Sequence, residues 1–252
     1  MRAKERFAII LRLLNAERTV TVQQLCDALH TSESTVRRDL LTLEQQGALV
    51  RLHGGATLPD AQFVAAEESM VAKEGQAVPE KSSIGSAAAQ LVRADDTVYL
   101  DAGSSTLQMA RALSGEALRA TYVTNGIAHA RILAQKGCRV YVPAGQIRPS
   151  TEAIVGASAM ASLARYNFTK AFMGANGVAL TQGFTTPDAE EAELKATALR
   201  RAREAWFLVD STKFGKVYAA VICPLTEGAL LTNRLPFDPY RDYTLIKENE
   251  RL

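Results

Sequence analysis

Apolar positions follow a helical period over the first 46 residues. Phe7, Ile10, Leu11 and Leu14 share one stripe and predict a helix from about Ala3 to Asn15. Thr21 and Gln24 fit a capping box, so a second helix should begin at Val22, with Val22, Leu25, Cys26 and Leu29 on its apolar face. His30, Thr31 and Ser32 make a short polar turn. A third helix is predicted from Glu33 to Gln46, with Val36, Leu40 and Leu43 inward and Gly47 as its stop. The pattern then changes to alternation: Ala48, Val50 and Leu52 interleave with Leu49, Arg51 and His53 before Gly54-Gly55. That predicts a β-hairpin.

Residues 58 to 78 are richer in Ala and Glu, with Pro59 and Pro79 near the ends, and read as a linker. From 79 to 234, short apolar runs alternate with helix-like ones, the pattern of an α/β domain. Candidate strands are 97–100, 120–124, 138–143, 170–174 and 205–210. Candidate helices are 80–92, 105–113, 126–136, 157–165 and 188–203. Several of these strands are nearly continuous apolar runs, as in strands covered on both faces. Residues 235–252 are charged and weakly periodic and read as a surface-packed or frayed tail.

The chain's 252 residues suffice for two modest domains, and 47% of them are hydrophobic. The net charge of +2 points to no class of partner by itself. Cys26, Cys138 and Cys223 are an odd number of widely separated thiols, which fits a reducing, cytoplasmic setting better than a disulfide framework. The three histidines show no metal-ligand spacing, so no metal and no cofactor is expected. The first apolar run is too short to span a bilayer and is broken by Arg12, so no membrane association is expected.

Two short helices joined by a tight turn, then a glycine hairpin, form a winged helix-turn-helix pattern. With Val36, Leu40 and Leu43 inward, the third helix presents Ser34, Arg38 and Gln45, flanked by Arg37 and Thr42. Arginine reads guanine bidentately, and hydroxyl and amide side chains reach bases or phosphates. The residues expected to contact double-stranded operator DNA are Ser32, Ser34, Thr35, Arg37, Arg38, Gln45, Arg51 and His53. Helix-turn-helix readers meet paired half-sites, so a homo-oligomer, dimer or tetramer, is expected.

The stretch VTVQQLCDALHTSESTVRRDLLTLEQQGALVRLHGGA resembles the N-terminal domain of DeoR-family bacterial transcription regulators, through S-x-x-T-V-R-R-D-L, L-E-x-x-G and R-x-H-G-G-A. Asp39 lies within that core beside the inward face and is expected to pair with an arginine rather than touch DNA. The likeness continues through EKSSIG (80–85), DAGSST (101–106), TNG (124–126), PAGQ (143–146), FMGANGV (172–178), GFTTPD (183–188) and DSTKFG (210–215). The resemblance implies a winged helix-turn-helix domain over 1–57 and a Rossmann-like α/β effector domain over 79–234. The effector domain is expected to be similar in fold to ribose-5-phosphate isomerases. The implied function is a repressor of a carbohydrate-metabolism operon controlled by a phosphorylated sugar.

In open α/β sheets ligands bind at the carboxyl ends of the strands. A hydroxyl-rich glycine loop at a helix N-terminus suits an anion there. The expected effector-binding residues are Asp101, Gly103, Ser104, Ser105, Thr106, Thr124, Asn125 and Lys213. Sugar isomerisation needs a proton-transferring base, usually a carboxylate. The isomerases that this domain resembles carry D-G-A-D-E after a central strand, whereas this chain reads M-G-A-N-G at 173–177. No catalytic residue is therefore assigned. The competing reading is a sugar-phosphate isomerase with an accessory DNA domain, its acid rearranged to Asp188, Glu190 or Glu191. A third reading is a DNA-binding scaffold whose second domain binds nothing.

Overall fold

The computed structural model describes residues 2–58, 61–65, 68–236 and 238–249. Pro59 and the end of the tail, 250–252, lie outside them. The chain forms two compact units. One comprises Met1–Ala61 with Leu235–Tyr243, the other Gln62–Arg234 with Thr244–Leu252.

The first unit contains α1 (Ala3–Glu17), β1 (Thr19–Thr21), α2 (Val22–Leu29), α3 (Glu33–Gln45), β2 (Val50–Leu52) and β3 (Gly55–Thr57). The capping box that opens α2 is formed by Thr21 and Gln24. The α2–α3 turn passes through His30 in the left-handed region, φ 48°. The inward residues of all three helices join Val20, Ala48, Leu49 and Ala56 in one core. The hairpin β2–β3 forms as its alternation requires, and β1 adds a third strand against β3. That strand was not visible in the sequence, because TVT is three residues long and runs straight into the helix cap. Asp39, 4% exposed, accepts two hydrogen bonds from the Arg6 guanidinium, at 2.6 and 3.0 Å. Its partner therefore comes from α1, pinning that helix to α3.

The second unit continues with β4 (Gln62–Phe63), α4 (Met70–Glu74), α5 (Val78–Ala89), β5 (Thr97–Leu100), α6 (Ser104–Ala112), β6 (Thr121–Thr124), α7 (Ile127–Gln135) and β7 (Arg139–Tyr141). Then come β8 (Gln146–Arg148), β9 (Ala153–Val155), α8 (Ala157–Leu163), β10 (Phe168–Met173), β11 (Gly177–Ala179), β12 (Gly183–Thr186), α9 (Ala189–Arg200) and β13 (Ala202–Leu208). Last are β14 (Lys216–Val217), β15 (Ala220–Cys223), β16 (Ala229–Thr232) and β17 (Ile246–Glu248).

Seven strands form one parallel sheet in the order β17-β16-β13-β10-β5-β6-β7. From β5 the chain winds outward through β6 and β7, then returns to the other side of β5 at β10. The order reverses between β5 and β10, and a crevice opens outside their carboxyl ends. The DAGSST loop follows β5 and MGANG follows β10, so both lie at that crevice. All five predicted strands and all five predicted helices of this region form, with ends shifted by a few residues.

The stretch after residue 234 reads as one tail but serves both units. Tyr240, 1% exposed, is buried in the first, and β17 extends the sheet of the second by pairing with β16. Weak periodicity hid both, since a three-residue edge strand has too few positions to show alternation. The stretch read as a linker likewise holds β4 and α4.

The α5–α6 packing rests on Gly85. A Cβ there would lie 2.6 Å from the Met109 amide nitrogen and 2.7 Å from the Gln108 carbonyl carbon. Gly85→Ala should therefore destabilise the protein by about 2 kcal/mol through overpacking, measured as a lower urea midpoint. An unchanged midpoint would contradict this close packing.

Candidate functional site

Helix α3 turns the expected reading residues to solvent. Ser32, Ser34, Arg37, Arg38 and Gln45 are exposed and Thr35 is half-buried. The Ser32 hydroxyl lies 3.0 Å from that of Ser34 and 3.1 Å from that of Thr35, so the helix opens on a cluster of three hydroxyls. Arg37 pairs with Glu33 one turn back at 3.0 Å, both more than half-exposed. Such a pair is weak in water and easily exchanged for a phosphate. Arg38 makes no ion pair among the described residues. On the hairpin, Arg51 is braced by Glu44 at 3.0 Å, and His53 is exposed next to the Gly54 turn. Leu41 sits on the same stripe as Ser34, Arg38 and Gln45 and is 41% exposed.

At the crevice, the structure separates the expected effector residues into two groups. Gly103, Ser104, Ser105 and Lys213 line a cavity, together with Ala102, Gly174 and Asn176. The first amides of α6 have no intrahelical acceptor and carry the positive end of the helix dipole. The backbone at Gly103 is extended, φ 179°, so close approach rather than an unusual angle is its contribution.

The second group holds the loop. Thr106, fully buried, donates to the carbonyls of Asp101 at 2.6 Å and Gly103 at 2.9 Å, and meets His129 Nε2 at 3.1 Å. Burial holds the His129 imidazole at about 3, so it stays neutral. Thr124 accepts from the Gly126 amide. Asn125 accepts from the Tyr99 hydroxyl at 3.0 Å and the Ala102 amide at 2.8 Å. Thr106, Thr124 and Asn125, expected to bind the effector, lie outside the cavity lining and hydrogen-bond within the protein.

Asp101, 1% exposed, accepts from the Gly174 amide at 3.1 Å and is ion-paired with Lys195 of α9. Burial pushes its carboxyl up, against the pull of Lys195 and the two hydrogen bonds. It thus joins the ends of β5 and β10 to α9.

Among the lining residues outside the expected effector set are Lys81, Thr151, Lys195 and Glu191, the last named in the sequence only as a possible rearranged acid. Glu191, 7% exposed, accepts from the Thr151 hydroxyl at 2.7 Å. The available signal was Glu191-x-x-x-Lys195, one turn apart on the face shared with Leu194 and Ala198. Asp188 and Glu190 have other work. Asp188 caps α9 by accepting from the Glu191 amide at 2.9 Å, and both bind Arg148. In the MGANG turn, Met173 is fully buried and Asn176 accepts from Thr186 at 3.1 Å.

Lys81, from the EKSSIG segment, is 2% exposed and donates to the Lys73 carbonyl at 2.5 Å. Among the described residues no carboxylate pairs with it. Burial lowers its ammonium below the usual lysine range, while Asp210 draws it back up. Asp210 itself accepts from the Thr212 amide and hydroxyl, which fixes the turn carrying Lys213. The described residues contain no cluster of three or more His, Cys, Asp or Glu fit to hold a metal, and no helix long and apolar enough to cross a membrane.

A winged helix-turn-helix with a solvent-facing arginine stripe, in one chain with a parallel α/β unit that holds a polar cavity, defines a DNA-binding transcription regulator with its own sensor. The chain belongs to the DeoR family of such regulators. Residues 6–62 match the DeoR-like helix-turn-helix domain and residues 76–233 the DeoR C terminal sensor domain. The chain is 36% identical to the uncharacterized HTH-type transcriptional regulator FruR of Bacillus subtilis (strain 168), over 98% of each chain. It is 32% identical to the HTH-type transcriptional repressor GlcR of the same organism, over 96% of this chain and 93% of that one. It is 34% identical to the lactose phosphotransferase system repressor of Staphylococcus aureus (strain NCTC 8325 / PS 47), over 90% of each. Among solved structures, ribose 5-phosphate isomerase A of Methanocaldococcus jannaschii aligns over 53% of each chain, with TM-score 0.38 and 17% identity. These relatives are regulators and repressors, and the chain is a regulator rather than an enzyme.

Asn125→Ala would leave the buried Tyr99 hydroxyl and the Ala102 amide without their acceptor. It should cost roughly 2 kcal/mol of stability, read by denaturant unfolding. A variant as stable as the parent would contradict this buried hydrogen bonding.

Proposed function

We propose that this regulator represses genes of carbohydrate uptake or metabolism, and that a phosphorylated sugar bound in the cavity controls it. The observation that carries the reading is the pairing of two chemistries in one cavity. Lys81, Lys213 and the α6 N-terminus offer positive charge and free amides, which suit a phosphate. Glu191, Thr151, Asn176 and Lys195 offer the acceptors and donors that sugar hydroxyls need. Asp101 and Thr106 hold that surface in place. The names of the relatives support the sugar link: one is a lactose phosphotransferase system repressor.

On the DNA side, Ser32, Ser34 and Thr35 meet the backbone or base edges at the N-terminus of α3. Arg38 and Gln45 read bases, and Arg37, Arg51 and His53 hold phosphates. Two half-sites call for two copies, so the working form is a homodimer or homotetramer, acting in the cytoplasm on chromosomal operators.

Purified protein should retard a DNA fragment from upstream of its own gene. Arg38→Ala should weaken that binding about tenfold or more and leave the thermal melt unchanged, because this side chain is solvated. No retardation of any operator fragment at low salt would contradict the proposal. Unchanged affinity in Arg38→Ala would move the reading face elsewhere.

A further inference from the structure

Between Ala61, the last residue of the N-terminal segment, and α5, the described residues 62–65 and 68–77 form a strap tied down at three points. At the first, β4 pairs in parallel with β14, just beyond Lys213. The Gln62 amide donates to the Gly215 carbonyl at 2.8 Å and the Val64 amide to the Val217 carbonyl at 2.9 Å. At the second, the Met70 amide donates to the Ser150 carbonyl at 2.8 Å, beside Thr151. Met70, 6% exposed, itself lines the cavity. The third is the bond from the Lys81 ammonium to the Lys73 carbonyl, 2.5 Å. The strap ends at Ala77, whose left-handed backbone (φ 49°) is strained for a residue with a Cβ.

The third point has unusual chemistry. Among the described residues this buried ammonium hydrogen-bonds only to a neutral carbonyl and pairs with no carboxylate, Asp210 attracting it without direct contact. An anion is a much stronger partner for it than a carbonyl. Taking the anion-binding reading of the cavity as its basis, we infer that a bound phosphate competes with the Lys73 carbonyl for the Lys81 ammonium and thereby loosens the strap, residues 69–77. Lys81 is then the residue that converts occupancy into a change in the segment leading to the DNA-reading unit. A ligand shifts such an equilibrium only through a contact that differs between the two states, and this bond supplies one.

The test uses the full chain and inorganic phosphate as probe, with chloride at equal ionic strength as reference. Phosphate binding is measured by calorimetry, and amide hydrogen exchange of residues 69–77 by mass spectrometry. With phosphate bound, exchange in 69–77 should rise several-fold, while β5 and β10 stay protected. Lys81→Met should show the fast exchange without phosphate and no further rise with it. Phosphate that binds without changing exchange in 69–77, or that slows it, overturns the inference. So does a folded Lys81→Met protein whose strap is as protected as the parent's. If that variant does not fold, the parent protein's response alone decides. Absence of any phosphate binding removes the anion-site reading, and the inference falls with it, an outcome the calorimetry separates from the others.

Discussion

A carboxylate with no access to water has to find cations and amides, and Asp101 at the end of β5 finds them in two other segments. It sits at the carboxyl end of β5, 1% exposed, takes the amide of Gly174 from the end of β10, and pairs with Lys195 on α9. Leaving such a charge unpaired is strongly unfavourable, so the three segments are obliged to meet there. They meet at the point where strand order reverses, which is the place a parallel sheet leaves open. The backbone of the DAGSST loop is fixed from below by Thr106, Asn125 and neutral His129. Gly103, Ser104 and Ser105 are thereby left lining the cavity.

The DNA-reading unit rests on an equivalent device at smaller scale. Asp39 is surrounded by the inward residues of α3 and is satisfied by the guanidinium of Arg6 from α1. The pair consumes the acid that would otherwise sit near Arg37 and Arg38 and offset their charge. One part-buried ion pair thus ties α1 to α3 and takes up the acid next to Arg38.

Much of this was legible in the sequence. The three helices and the hairpin announce themselves through strict periodicity, a capping box and glycine stops. The central strands stand out because strands buried on both faces are continuous apolar runs. The loops at the crevice follow from the rule about strand ends. What was not legible has two physical causes. Short strands such as β1, β8, β9 and β17 carry too few positions to show a period, and their existence depends on partners far away in the chain. Polar residues near the cavity also look alike in sequence whether they face a ligand or hold a loop. Thr106 and Asn125 hold the loop, while Thr124 takes the Gly126 amide. Lys81, Glu191 and Lys195 looked like ordinary helix charges, and only tertiary packing buries them in the lining. The missing acids of M-G-A-N-G were readable, because the residue types themselves exclude proton transfer at that turn.

The two units matter to each other only if occupancy of one alters the affinity of the other, and that coupling is reciprocal by thermodynamic necessity. Operator affinity, followed by fluorescence anisotropy while a panel of phosphorylated sugars is titrated, measures it directly. At least one sugar phosphate should change the affinity several-fold, and Lys213→Ala should bind operator as the parent does but respond weakly. Operator affinity that no phosphorylated sugar alters, or a full response in Lys213→Ala, would contradict the account.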